Sequence, residues 1–214
     1  MKKKIKSRIC KTARPVLTLV LLAGCSPVMT AHYETGKQAR RDGDYETAQK
    51  NLRPLAEFGM PEAQYELALA LLKDDKATAS DKRQARDLLL DLSEKGYEGV
   101  DYELGRYYRD QKDYDNAITY YTNAAEDGDM KAYFELGAIE EKMKKPKIAL
   151  ALYTKAFEGH YYRAAARIAR LYERGIDGKP DPHEALRWYE IAQQNGESGV
   201  EKKISELKSS SLPR

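Results

Sequence analysis

The chain has 214 residues, with 37 Lys and Arg against 34 Asp and Glu and a formal net charge of +3. A charged fraction of 33%, a hydrophobic fraction of 42% and a mean hydropathy of −0.74 exclude a multi-span membrane protein and a disordered chain. Two cysteines exclude a disulfide framework, and a pI near 8.6 argues for nucleic acid only if the positive charge belongs to the folded body.

It does not. Lys2, Lys3, Lys4, Lys6, Arg8, Lys11 and Arg14 precede any acid, the first of which is Glu34. An apolar run from Val16 to Leu22 follows and ends at Ala23-Gly24-Cys25. This is the layout of a secretory signal, and the run falls well short of the roughly 20 apolar residues of a spanning helix. Leu22-Ala23-Gly24-Cys25 resembles a bacterial lipobox. The resemblance implies cleavage before Cys25, a diacylglyceryl and N-acyl anchor on its thiol and amine, and, with Ser26 following, sorting to the periplasmic face of the outer membrane. Residues 1–24 are then a signal peptide and 25–32 a lipidated tether, and the mature body carries 30 bases against 34 acids. No nucleic-acid partner is expected of it.

From Tyr33 onward two phrases alternate. The first is a small residue, three residues, an apolar one and a small one: Ala63-x3-Leu67-Ala68, Val100-x3-Leu104-Gly105-x2-Tyr108, Ala132-x3-Leu136-Gly137 and Ala164-x3-Ile168-Ala169-x2-Tyr172, with a degenerate first copy at Gly36. The second reads Ala48-x3-Leu52, Ala85-x3-Leu89, Ala117-x3-Tyr121, Ala149-x3-Tyr153 and Ala185-x2-Trp188-Tyr189. Each second phrase closes on a glycine, at Gly59, Gly96, Gly128, Gly159 and Gly196, where a left-handed helix cap is expected. Both phrases have helical spacing, so they predict five helix pairs over residues 33–196, none able to bury its apolar face alone. Extra length collects in loops at 73–81 and 175–182, where stacked repeats tolerate it. Val200-x3-Ile204 predicts a polar-faced capping helix over 197–208, and 209–214 reads as a flexible tail.

These phrases resemble the Sel-like repeat branch of the tetratricopeptide superfamily, most sharply at Ala185-Leu186-Arg187-Trp188-Tyr189. The resemblance implies an all-α, right-handed solenoid of about five helix-turn-helix repeats that binds partners without chemistry of its own. The order Cys25, Gly43-Asp44-Tyr45-Glu46-Thr47-Ala48 and Leu55-Ala56-Glu57-Phe58-Gly59-Met60-Pro61-Glu62-Ala63-Gln64 is similar to the start of the AlgK-type lipoproteins of alginate export.

No enzyme signature, metal-ligand spacing or cofactor motif stands out. His183 and Glu184 are adjacent and point apart on a helix, the carboxylates at 74–75 and 140–141 imply no cleft, and no glycine-rich loop ends in Gly-Lys-Ser/Thr. In tetratricopeptide relatives the first helix of each pair lines a concave wall. Carried onto this register, that places Tyr33, Lys37, Arg40, Tyr65, Tyr102, Arg106, Arg109, Phe134 and Arg170 along it. Aromatics with interleaved cations suit an acidic polysaccharide or acidic peptide; the same pattern also describes a helix edge with snorkelling arginine stems. The functional expectation is a lipid-anchored scaffold docking envelope proteins, among them a secretion porin, in alginate-like exopolysaccharide secretion or envelope assembly, with direct binding of an acidic polysaccharide or peptidoglycan fragment in the concave groove as the second reading.

Overall fold

The 3.6-residue rhythm of small and apolar positions is realised wherever the chain is described. The computed structural model describes residues 27–210, and these form eleven α-helices with no strand among them. They are α1 (Pro27–Asp42), α2 (Tyr45–Glu57), α3 (Pro61–Lys73), α4 (Ala79–Glu94), α5 (Val100–Asp110), α6 (Tyr114–Glu126), α7 (Met130–Lys142), α8 (Pro146–Glu158), α9 (Ala164–Arg174), α10 (Pro182–Gln194) and α11 (Glu201–Ser210). The signal segment 1–24, Cys25 and the last four residues of the tail lie outside the described residues.

Two boundaries differ from the sequence reading. Residues 27–32, expected as tether, belong to α1. The capping helix begins at Glu201 and runs to Ser210, with the Ser209 hydroxyl donating to the Glu206 carbonyl at 2.8 Å.

Aspartates start most of the second helices. Asp44, Asp113 and Asp181 each accept a hydrogen bond from the backbone N–H three residues on, at 3.1, 3.2 and 3.0 Å, and so open α2, α6 and α10. Thr78 and Asp81 cap α4 reciprocally, Thr78 N–H to Asp81 at 2.8 Å and Asp81 N–H to Thr78 Oγ1 at 3.2 Å.

The helices fall into two compact units that divide after Leu88, within α4. In the first, α1 packs on α2 and α2 on α3 around Ala48, Leu52, Leu55, Ala63 and Leu67. In the second, each helix from α5 to α11 packs on the next, and the core follows as alanine-rich clusters centred on Tyr121, Tyr153 and Tyr189. Val200 and Ile204 bring α11 onto the last of these.

Pair geometry rests on a close approach. A Cβ on Gly105 would fall 2.5 Å from Tyr121 Cδ1, one on Gly137 2.7 Å from Tyr153 Cδ1, and one on Gly36 2.6 Å from Leu52 Cγ. The first helix therefore lays a bare Cα against the ring or isobutyl group of the second, and ordinary side chains would force the helices apart.

The turns follow one hydrogen-bond pattern. Gly59, Gly96, Gly128 and Gly196 take φ of 89°, 73°, 97° and 84°, as expected of left-handed caps. Gly159 does not: its φ is −81° and His160 takes the left-handed position at 69°. The fourth copy has its glycine one residue early, so the His160 N–H to Phe157 O bond, 2.9 Å, stands where Gly128 N–H to Ala125 O, 3.1 Å, stands in the third. Gly159 instead makes room for Met130, whose sulfur would lie 2.1 Å from an added Cβ. Between first and second helices, Lys112 and Lys144 sit at φ of 61° and 60°, where the first copy has Gly43 at 81°.

A left-handed non-glycine residue costs about 1–2 kcal/mol, and glycine loses about 0.5–1 kcal/mol of unfolded-state entropy on folding. His160→Gly and Lys144→Gly should thus each stabilise the chain, by about 0.5–1 kcal/mol in urea unfolding. Gly137→Ala should destabilise it by about 1–3 kcal/mol through overpacking, although alanine is the better helix former. A neutral Gly137→Ala would show that the Tyr153 ring can yield.

Candidate functional site

In the first unit the side chains expected along the wall turn toward each other. The Lys37 ammonium lies 5.3 Å from the Tyr33 ring centroid, one turn along α1. Burial pushes the Tyr33 hydroxyl above its ordinary pKa, and the Glu66 charge adds to this. Tyr65 is half-buried on α3. The Arg40 guanidinium, with only 12% of its side chain exposed, is ion-paired across to Glu66 of α3, at 9%.

In the second unit the expected residues fall into three groups. The Tyr102 ring packs 5.6 Å from Tyr121, with its hydroxyl pushed up to about 12 by burial and by Glu135. Phe134 packs 5.4 Å from Tyr153 and 5.2 Å from Tyr161. Arg106 bonds Glu103 of its own helix at 2.8 Å, whereas Arg109 reaches from α5 to Glu135 of α7 at 2.7 Å. Arg170 is exposed and forms no ion pair among the described residues.

Successive first helices are therefore cross-braced by charge. Arg109 joins α5 to α7. Glu141 of α7 pairs with Arg174 of α9 and lies 3.8 Å from Arg167, which also stands 5.8 Å over the Phe134 ring. Glu173 of α9 receives Lys203 of α11 at 2.6 Å. Sequence reasoning did not find Glu141, Glu173, Arg167, Arg174 or Lys203. One signal was present: both glutamates stand five residues after the Leu or Ile of the first phrase, in copies whose second phrase carries tyrosine.

That register matters because the buried tyrosine reaches it. The Tyr153 hydroxyl donates to Glu141 Oε2 at 2.8 Å and the Tyr189 hydroxyl to Glu173 Oε2 at 2.6 Å. Burial and these carboxylates raise both phenol pKa values. Burial also acts to raise the Glu173 carboxyl, but the bonds from Lys203 and Tyr189 outweigh it and hold the group below its ordinary value. In the third copy the position is Arg109, and the Tyr121 hydroxyl is buried with no hydrogen-bond partner among the described residues.

On the α7, α9 and α11 side of this network an open cleft of about 630 Å³ is lined by Arg167, Arg170, Arg174 and Lys203 over Glu141 and Glu173. Its cations outnumber its carboxylates four to two. The cleft's lining can hold an anion; it does not assemble a nucleophile with a base. Among the described residues no three His, Cys, Asp or Glu side chains converge as a metal set, and no helix is long and apolar enough to cross a membrane.

Comparison with known proteins agrees with this architecture. The Sel1 repeat family model matches residues 61–97, 101–129 and 163–202, so the chain carries Sel1 repeats. A Sel1 repeat protein from Oxalobacter formigenes has a similar structure, with a TM-score of 0.63 and 23% identity over 87% of this chain and 82% of the other. MamA of AMB-1 is similar with a TM-score of 0.58 and 20% identity over 87% and 98%. A further MamA crystal structure gives 0.61 and 19% over 87% and 98%. At these identities the likeness concerns the fold alone. No curated protein sequence matches the chain significantly.

The three buried tyrosines form an internal comparison. Tyr153→Phe and Tyr189→Phe remove hydrogen bonds to charged acceptors and should each cost about 1.5–3 kcal/mol. Tyr121→Phe removes an unmatched hydroxyl and should lie within about 0.5 kcal/mol of wild type or on the stabilising side. Equal losses in all three denaturant curves would contradict the register assignment.

Proposed function

We propose that this Sel1-repeat chain is a non-catalytic scaffold, lipid-anchored through Cys25 on the periplasmic face of the outer membrane, that docks other envelope proteins. The observation that carries the docking role is the cleft of α7, α9 and α11. Three of its four cations, Arg167, Arg174 and Lys203, are held by carboxylates that are themselves fixed by buried tyrosines, and a pre-ordered surface of this kind loses little entropy when a partner arrives. The anchor rests on the lipobox-like Leu22-Ala23-Gly24-Cys25 behind its cationic and apolar stretches. Two or three acyl chains, at about 0.8 kcal/mol per buried methylene, hold a protein stably where one would not. The AlgK-like order of residues near the N-terminus supports a role in exopolysaccharide secretion of the alginate kind, with a secretion porin as partner, or in envelope assembly.

An acidic polysaccharide is the second reading, favoured by the four cations of the same cleft. Retention of the protein on an alginate matrix, lost in Arg170→Ala with the fold intact, would support it.

Two measurements check the main proposal. Cys25→Ser should abolish labelling by tritiated palmitate and membrane partition together; persistence of both removes the anchor. Affinity capture of the anchored wild-type protein from crosslinked membranes should enrich one defined envelope protein, and capture of none removes the docking role.

A further inference from the structure

Three arginines stand at positions i, i+3 and i+7 of α9. On a helix rising 1.5 Å per residue, Arg167, Arg170 and Arg174 form one row, with steps of about 4.5 and 6 Å along the axis. Lys203 of α11 continues the positive lining. The two carboxylates of the cleft are already committed. Glu141 is shared between Arg174 and Arg167 and holds the Tyr153 hydroxyl; Glu173 is shared between Lys203 and the Tyr189 hydroxyl. Arg170 makes no ion pair with either, but it stands beside the Tyr189 hydroxyl and its charge acts on Glu173. The lining thus holds four cations over two carboxylates, with Glu206 3.8 Å from Lys203 as a third acid at its edge, and the cationic side chains remain accessible, Arg167 at 38%, Arg174 at 59% and Lys203 at 46%.

We infer that this cleft binds an extended acidic peptide segment of a partner protein, one carrying carboxylates at every second residue, with Arg170 as the principal contact. The inference rests on the docking role proposed above and names the chemistry of its partner. In an extended strand, side chains on one side recur about every 6.6 Å, close to the step of about 6 Å between Arg170 and Arg174. A planar guanidinium takes a carboxylate through two parallel N–H donors, which a lysine row would not. The volume of about 630 Å³ lies within the range of about 300–1,000 Å³ typical of ligand clefts.

The test uses the mature chain and a fluorescein-labelled peptide of five Glu-Ser repeats, followed by fluorescence anisotropy. Binding is expected at low ionic strength, weaker as salt rises, and absent for the same peptide with Gln in place of Glu. Arg170→Glu should weaken it by about tenfold or more, equivalent to about 1.4 kcal/mol, with the helical circular dichroism signal retained at the assay temperature even though the charge beside Glu173 and the Tyr189 hydroxyl is reversed. Lys112→Ala, in the turn before α6, should leave it unaltered. Equal binding of the Gln peptide, or equal binding by Arg170→Glu, overturns the inference. So does tight binding of an oligouronate of equal charge where the Glu-Ser peptide fails, since the occupant is then a glycan. If Arg170→Glu loses the peptide but still captures the same envelope protein from membranes, the cleft assignment falls while the scaffold reading stands. If the peptide binds and no envelope protein is captured, the reverse holds.

Discussion

A ring laid against a bare Cα sets the geometry on which the second unit depends. Gly105 and Gly137 let Tyr121 and Tyr153 lie flat on the first helix of their pairs, and Ala169 shares a core cluster with Tyr189. A tyrosine buried this way removes about 150–250 Å² from water, so the ring, not its hydroxyl, supplies most of the adhesion. The hydroxyl has a different consequence. Once the ring is seated, its oxygen is delivered to one register position of the first helix, and what occupies that position decides the polar network. A glutamate there accepts the phenol and then recruits a cation from the next repeat; an arginine there reaches forward to a carboxylate instead.

Two pairs illustrate how charge is used. Arg40 and Glu66, and Arg109 and Glu135, join alternate helices 26 residues apart in sequence. Two buried or half-buried ions in contact are weak evidence of net stability, because desolvation offsets their attraction. They do specify which repeat face meets which, since removing one partner leaves the other uncompensated. The cations of the cleft differ in being exposed and in exceeding their carboxylates. That excess is what turns the polar network of α7, α9 and α11 from a brace into a surface with a preferred partner charge.

Several expected wall residues therefore have two faces. Tyr102 and Phe134 pack, half-buried, against the core rings of Tyr121 and Tyr153, and Arg40 and Arg109 brace helices, whereas Arg170 is exposed in the cleft without an ion pair. The sequence pattern of aromatics with interleaved cations is common to packing and to binding, because both need flat apolar surface beside a charge that can be neutralised. Only the location of the neutralising carboxylate separates the two, and that carboxylate lies in another repeat.

The features readable from residue order are local ones. Helix pairs and the alanine and glycine registers follow from periodicity within each repeat, so they were legible in the sequence, whereas the aspartate caps were not singled out there although their donors lie within three residues. Four of the five closing glycines took the left-handed position for the same reason. The fifth was decided by tertiary structure: Met130 fills the space at Gly159, and the turn passes to His160. The pairing of Glu141 with Arg174 and of Glu173 with Lys203 was likewise decided in three dimensions. Those partners are 33 and 30 residues apart, and their meeting depends on how closely each first helix approaches the next, a distance that no one repeat encodes.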